Sequence, residues 1–373
     1  MKFPLSKIVS STAQALLVGG ALCGLAGCGS MSSSSSTTTT PVTTTPPDVY
    51  AAGIETIGTQ TKAAVWKNGT ETVLDSGSYS AQAASVAVAN GHVYVAGTEV
   101  GPSGNDEAVL WDNGVATHLP ITGVIGYASG VIVLGTDVYV AGNDETPTST
   151  PGVNTGKAAL WKNGVESILP DAGNGGAQAN AIATDGTNVF VGGGALTLVP
   201  SSSCCSTLVQ TAVLWRNGAL YLAGSGTTIQ LVTSMTVANG DTYLAGALCS
   251  LPLPDCTAAA YWKNGSTFPQ TPAVFSSATG IAFSGGNLYL SENLFPAATA
   301  NNTAVLVTNG SITTLAAATG AAANSVVTYN GDVFVGGALN SRPTYWKNGQ
   351  PVTLTTAAKV ASLTAMTVVP AGT

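Results

Sequence analysis

The chain has 373 residues, 45% of them hydrophobic, enough to bury a large core, and only 8% are charged against the roughly 25% usual for a soluble domain. Its formal charge of −7 excludes a nucleic-acid partner, because that affinity rests on basic contacts to phosphate. It equally argues against adsorption of the folded part to anionic lipid.

The first 27 residues read as a signal peptide. Lys2 and Lys7 form a basic n-region, and Ile8 to Leu25 is an apolar stretch rich in Ala and Gly. It ends in Leu25-Ala26-Gly27-Cys28, which resembles the lipobox of bacterial lipoproteins. That resemblance implies cleavage before Cys28, a diacylglyceryl group on its thiol, further acylation (palmitate) at its amino group, and an anchor in the membrane. Removing Lys2 and Lys7 takes the formal charge to −9. Gly29 stands where an Asp would signal inner-membrane retention, so the expected address is the cell envelope, at the outer membrane or cell surface. Residues 28–47 hold Ser and Thr runs followed by Pro-Val-Thr-Thr-Thr-Pro-Pro, without apolar periodicity, and read as a tether.

From residue 48 to the end one phrase recurs. A Tyr- or Phe-centred strand of the Val-Tyr-Val-Ala-Gly kind appears at Val49–Gly53, Val93–Gly97, Val138–Gly142, Val189–Gly193, Thr242–Gly246, Leu288–Glu292 and Val333–Gly337. Each is followed by a variable loop and a Trp-x-Asn-Gly phrase at Trp66, Trp111, Trp161, Trp215, Trp262 and Trp346, with Val307-Thr308-Asn309-Gly310 lacking the ring. Seven copies spaced by about 39 to 54 residues match a four-stranded propeller blade. The fold class expected for 48–373 is therefore all-β, a seven-bladed β-propeller. Asn-Gly marks tight hairpins after the Trp strand and between the inner strand and the Tyr strand, which puts both tight turns on one face and the long loops on the other. Only six inner strands precede a Tyr strand, around Val86, Val131, Ile182, Val237, Ile281 and Val326, and the seventh is supplied by Ala365-Met366-Thr367-Val368-Val369. Pairing that C-terminal strand into the first blade closes the ring. The tryptophans, at one repeated position, are expected to pack between blades. The Lys67, Lys162, Arg216, Lys263 and Lys347 that follow them make a basic rim on the tight-turn face, interrupted by Asp112.

At this point the chain resembles bacterial extracellular propellers with Trp-x-Asn-Gly repeats, including the HAF-type extracellular repeats, although the Leu-Gly that usually follows in those is absent. The resemblance implies an extracytoplasmic propeller and carries little about activity.

Candidate chemistry is sparse. His92 and His118 lie near no nucleophile motif. Gly104-Asn105-Asp106-Glu107 and Gly142-Asn143-Asp144-Glu145 are identical tetrapeptides, assigned to the long loops of neighbouring blades, with Glu55 and Glu99 close by. Their oxygens make Asp106, Glu107, Asp144 and Glu145 candidate calcium ligands, and no other cofactor is expected. Cys204, Cys205, Cys249 and Cys256 fall in the long loops of blades four and five and read as disulfides in an oxidising compartment, Cys249 with Cys256 or else across to Cys204 or Cys205. Catalytic residues are not assigned. The expected role is a monomeric, lipid-anchored binding or scaffold protein with a protein or polysaccharide ligand on the long-loop face, where Tyr79 and Phe295 are contact aromatics. The alternative is a carbohydrate-active hydrolase or lyase using loop carboxylates.

Overall fold

A computed structural model describes residues 45–373 apart from 75–78, 148–153, 172–175, 201–205, 224–228, 250–255, 271–274, 296–301 and 355–359. The compact unit begins at Thr45. Its strands form seven four-stranded antiparallel sheets, and the chain is a seven-bladed β-propeller.

Blade two shows the pattern. Its inner strand Ala81–Ala89 pairs with His92–Val100, that with Asp106–Asp112, and that with the outer strand Val115–His118. Residues of all seven inner strands line one axial cavity, so the first strand of every blade faces the axis. Blade one is assembled from both ends of the unit. Asp48–Ile57, Gln60–Lys67 and Thr70–Leu74 follow one another, and Ala361–Val369 supplies the inner strand, running from Asp48↔Val369 to Glu55↔Ala361. The ring has no open blade edge on its axial side.

The tight turns are chemically specified. All seven turns between third and outer strands are Asn-Gly, with Asn φ of 48° to 50° and Gly φ of 80° to 86°, the left-handed pair a type I′ hairpin needs. With the first-to-second-strand turns they lie on one face, and the longer connections lie on the other.

Packing between blades explains the repeated tryptophan. All six are at most 2% exposed, and each lies against the preceding blade. Trp111 packs with Tyr50, Ala52, Ala63 and Leu74 of blade one, and Trp161 with Ala96, Ala108 and Leu119 of blade two. Trp161 Nε1 donates to Pro120 O and Trp215 Nε1 to Pro170 O. The glycine closing the Tyr phrase in six blades is required by the bulge beside it, because a Cβ would lie 1.7–2.1 Å from a carbonyl of the inner strand, and at Gly97 by the indole as well. A Cβ at Gly97 would lie 2.0 Å from Gln82 O and 2.9 Å from Trp111 Cζ3.

Blade six departs from the pattern at both positions together. Glu292 replaces the glycine and Val307 the tryptophan, on neighbouring strands with Leu290 opposite Val307 and Glu292 opposite Val305. Glu292 is fully buried and neither of its carboxyl oxygens has a hydrogen-bond partner. Burial pushes its pKa up to about 7.

Candidate functional site

The tight-turn face repeats one hydrogen-bonded turn in every blade. The turn Asn accepts from the backbone N–H at the second residue of the Tyr strand, Val49 to Asn68 Oδ1 at 2.8 Å and Val333 to Asn348 Oδ1 at 2.9 Å being two of seven instances. Its Nδ2 donates to the residue just before, Asp48, Asp137, Asp241 or Asp332, at 2.7–2.8 Å. In blades one, three, five and seven the lysine after the Trp closes the triangle: Lys67–Asp48 3.2 Å, Lys162–Asp137 2.7 Å, Lys263–Asp241 2.7 Å, Lys347–Asp332 2.8 Å. The same ammonium groups sit 5.1–5.5 Å from the rings of Tyr50, Tyr139, Tyr243 and Phe334. Asn68 first in blade one, and Lys162, Lys263 and Lys347 first in the others, hold these carboxyls below the usual range. Blade two reverses the polarity, with His92 Nδ1 2.7 Å from Asp112 Oδ1. The rim expected to be basic is therefore neutralised in blades one, three, five and seven, where each lysine meets an aspartate, whereas Arg216 of blade four lies over the rings of Phe190 and Tyr221. The sequence signal for it, an Asp, Asn or His at the start of every Tyr strand, was there to be read but has no meaning until the two strands are paired.

The axis carries a second repeated system. Every inner strand carries a bulge at the same level, at Ala84, Ser129, Asn180, Thr233, Thr279, Asn324 and Thr364. From blade four onward the bulge side chain reaches a backbone carbonyl of the next blade. Asn180 Nδ2 donates to Val232 O at 2.9 Å, Thr233 Oγ1 to Ala278 O at 2.7 Å and Thr279 Oγ1 to Ala323 O at 2.5 Å. Asn324 Nδ2 donates to Leu363 O at 2.7 Å, and Thr364 Oγ1 to Ala83 O at 2.7 Å. Beside this girdle lies a cavity of about 400 Å³ whose lining contains no ionisable side chain.

On the long-loop half of blades two and three the candidate calcium ligands are strand residues, which corrects their assignment to equivalent loops. Asp106 and Glu107 open the third strand of blade two, whereas Asp144 and Glu145 lie inside the second strand of blade three, Asp137–Pro147. Cross-strand pairing continues beyond the repeated core, to Asn154↔Pro147, and carries the second tetrapeptide into the sheet. The side chains have separate partners. Asp144 accepts from the Thr122 and Gly123 N–H groups at 3.1 and 2.8 Å and from Thr122 Oγ1 at 2.5 Å. Asp106 accepts from Tyr127 Oη at 3.1 Å, and burial, with that carboxylate second, pushes the Tyr127 phenol up to about 12. Glu107 stands opposite Glu99 in register, a like-charge pair that would be unfavourable alone. His118, at the end of the outer strand, bridges them, with Nδ1 2.5 Å from Glu107 and Nε2 3.2 Å from the buried Glu99. Glu166, on the outer strand of the same blade as Asp144, has its carboxyl raised by burial first and then by the Asp144 charge. Among the described residues no group of three or more His, Cys, Asp or Glu side chains is arranged to hold a metal.

The strand ends on the long-loop face expose large apolar side chains: Ile57, Tyr79, Val124, Phe275, Phe295 and Val360. Phe275 and Phe295 are direct cross-strand partners in blade six, and Thr56 N–H donates to Val360 O in blade one. Of the cysteines, Cys249 ends the second strand of blade five and Cys256 begins the third, so they too are strand residues rather than loop residues. Cys249 is buried and disulfide-bonded, and Cys256 is its register partner. Cys28, Cys204 and Cys205 lie outside the described residues. Directly opposed strand residues are the spacing a disulfide needs, so non-reducing peptide mapping is expected to recover Cys249 joined to Cys256. A Cys204–Cys249 or Cys205–Cys249 peptide would overturn that pairing.

No protein-family model matches the chain, and no curated protein does. Among solved structures it is similar to the β-propeller domain of the Trilobed protease from Pyrococcus furiosus, with 11% identity over 72% of this chain and 78% of that one and a TM-score of 0.41. It is similar to AztD from Citrobacter koseri at 9% identity, covering 86% of this chain and 99% of that one with a TM-score of 0.41. The oligogalacturonate lyase from Vibrio parahaemolyticus stands at 8%, 83% and 86%, with a TM-score of 0.42. At such identities the likeness is one of fold alone: this chain is similar to other β-propellers.

Proposed function

We propose that this chain is a lipid-anchored binding or scaffold module of the bacterial cell envelope, tethered through Cys28 and engaging a protein or polysaccharide with its long-loop face. The observation that supports the reading is the contrast between surfaces. On the tight-turn face the repeated polar groups are used within each blade, and at the axis most bulge side chains are used between blades. The long-loop face carries the side chains that differ from blade to blade, including the exposed Phe275–Phe295 pair. Rigid sheets presenting variable loops are a common basis for recognition.

Two measurements test the two halves. Cys28→Ala should move the protein from the membrane to the soluble envelope fraction and abolish metabolic lipid labelling; unchanged partitioning defeats the anchor. The full chain in detergent should be retained on immobilised envelope polysaccharide or an envelope protein array, with at least a tenfold loss for Phe275→Ala/Phe295→Ala. Retention indifferent to that pair defeats the face assignment. The second reading, a hydrolase or lyase, is favoured by one feature, the neighbouring Glu166 and Asp144 carboxyls held in different environments. Release of reducing ends that disappears in Glu166→Gln would install it in place of binding alone.

A further inference from the structure

We propose that the axial channel binds a neutral polyhydroxylated group of monosaccharide size on the wall formed by blades two to four. The inference rests on the binding reading above and adds a ligand class and a second site to it.

Its basis is the place where the inter-blade girdle is interrupted. Five of the seven bulge side chains hand a hydrogen bond to the next blade. Blade two has Ala84 at this position and has no donor to give, and in blade three Ser129 makes no side-chain hydrogen bond. The carbonyls of Ala128 and Ala179 occupy the positions that receive a bulge side chain elsewhere in the ring, and neither receives one. The Ser129 hydroxyl lines the cavity between these two steps of the girdle, beside Asn180. Asn180 spends its Nδ2 on Val232 O and keeps Oδ1 as an acceptor. At the level of the bulges this sector thus retains the Ser129 hydroxyl and the Asn180 Oδ1, next to a seam where Ser85 Oγ accepts from the Val131 N–H at 3.2 Å, while the bulge side chains of the other five blades are spent between blades.

The chemistry of the lining selects the ligand. With no Lys, Arg, His, Asp or Glu among the lining residues, a charged ligand would lose its hydration without gaining a counter-charge. A neutral hydroxyl both donates and accepts, which is what a mixed wall of Ser hydroxyl, amide oxygen and backbone carbonyl needs. Phe283 of blade six is the aromatic residue of the lining, three blades around the ring from Ser129, and its ring is stacked on Tyr243 at 5.3 Å, so the selection of ligand rests on the neutral polar groups. A volume of about 400 Å³ is at the small end of ligand pockets and suits one such ring.

The test uses the full chain in detergent, with D-glucose, D-galactose and N-acetyl-D-glucosamine as probes and D-glucuronate as the charged comparator. Saturation-transfer NMR and equilibrium dialysis should detect at least one neutral sugar and bind glucuronate at least tenfold more weakly. Ser129→Leu fills the wall and should abolish the signal. Ser129→Ala keeps the space, should weaken binding at least threefold, and decides the matter if the leucine variant does not fold. Absence of binding by all three neutral sugars, equal binding of glucuronate, or binding indifferent to both Ser129 variants would mean that the channel holds ordered water only. Polysaccharide retention that survives Ser129→Leu but not the phenylalanine variant would remove this site while leaving the long-loop reading intact.

Discussion

Deleting residues 361–373 is expected to abolish cooperative folding. The deletion removes the whole inner strand of blade one, from Asp48↔Val369 to Glu55↔Ala361. With it go Leu363 and Met366, which are 0% and 5% exposed and pack with Trp66 and Phe334 across the seam between blades seven and one. Losing one such side chain costs about 2–5 kcal/mol, and a domain has only about 5–15 kcal/mol to lose. Thr364 is lost as well, with its reach to Ala83 O, so the girdle opens at the same place. Thermal unfolding followed by circular dichroism should show no transition, or one lowered by tens of degrees. The control is a circular permutant that joins the C-terminal strand to residue 48 by a short linker and opens the chain at another long loop. It retains every strand pair and should melt near the parent. A truncated chain that melts like the full one would show that the closing strand carries no weight.

The second large effect concerns Glu292. Its carboxyl titrates near 4.5 in the unfolded chain and at about 7 in the folded one, because burial without a partner disfavours the charged form. The folded state therefore holds a proton that the unfolded state has already released between those values. Stability is greatest, as far as this group is concerned, below pH 4.5, declines as the pH rises toward 7, and is flat above it. A shift of that size corresponds to about 3 kcal/mol. Asp48, Asp137, Asp241 and Asp332 act in the opposite sense, since their lowered pKa values make their contribution vanish as the pH falls below the ordinary carboxylate range. The two trends together place the optimum in mildly acidic solution. Glu292→Gln should leave stability near pH 4.5 almost unchanged and raise it by about 2–3 kcal/mol at pH 8. Urea midpoints at a series of pH values check this, and a variant whose curve runs parallel to the parent's would refute it. Glu292→Gly with Val307→Trp restores the pair used by the other six blades. Val307→Trp alone should destabilise, because the ring would meet the Glu292 side chain, and the double variant should recover more than the sum of the single effects.

Much of this architecture is legible in the chain itself. Asn-Gly between alternating apolar runs fixes each hairpin locally, since few residues other than Asn and Gly tolerate the two left-handed positions of the turn. Seven such phrases, with one inner strand missing at the front and one spare at the back, determine the blade number and the manner of closure without any knowledge of contacts. The repeated Trp likewise announces a repeated interface. What the residues could not disclose depends on register. The two Gly-Asn-Asp-Glu tetrapeptides are identical in sequence, yet one opens a third strand and the other lies within a second strand, because cross-strand pairing in blade three extends past the repeated core. The lysines look like a basic rim until strand pairing places each beside an aspartate some twenty residues away. The bulges that turn Asn180, Thr233, Thr279, Asn324 and Thr364 toward the neighbouring blade leave no local trace, because a bulge is a mismatch between two strands and belongs to neither alone. For the same reason the buried carboxyl at Glu292 became visible only when its strand was set against Val305 and Val307, where the indole of every other blade is absent.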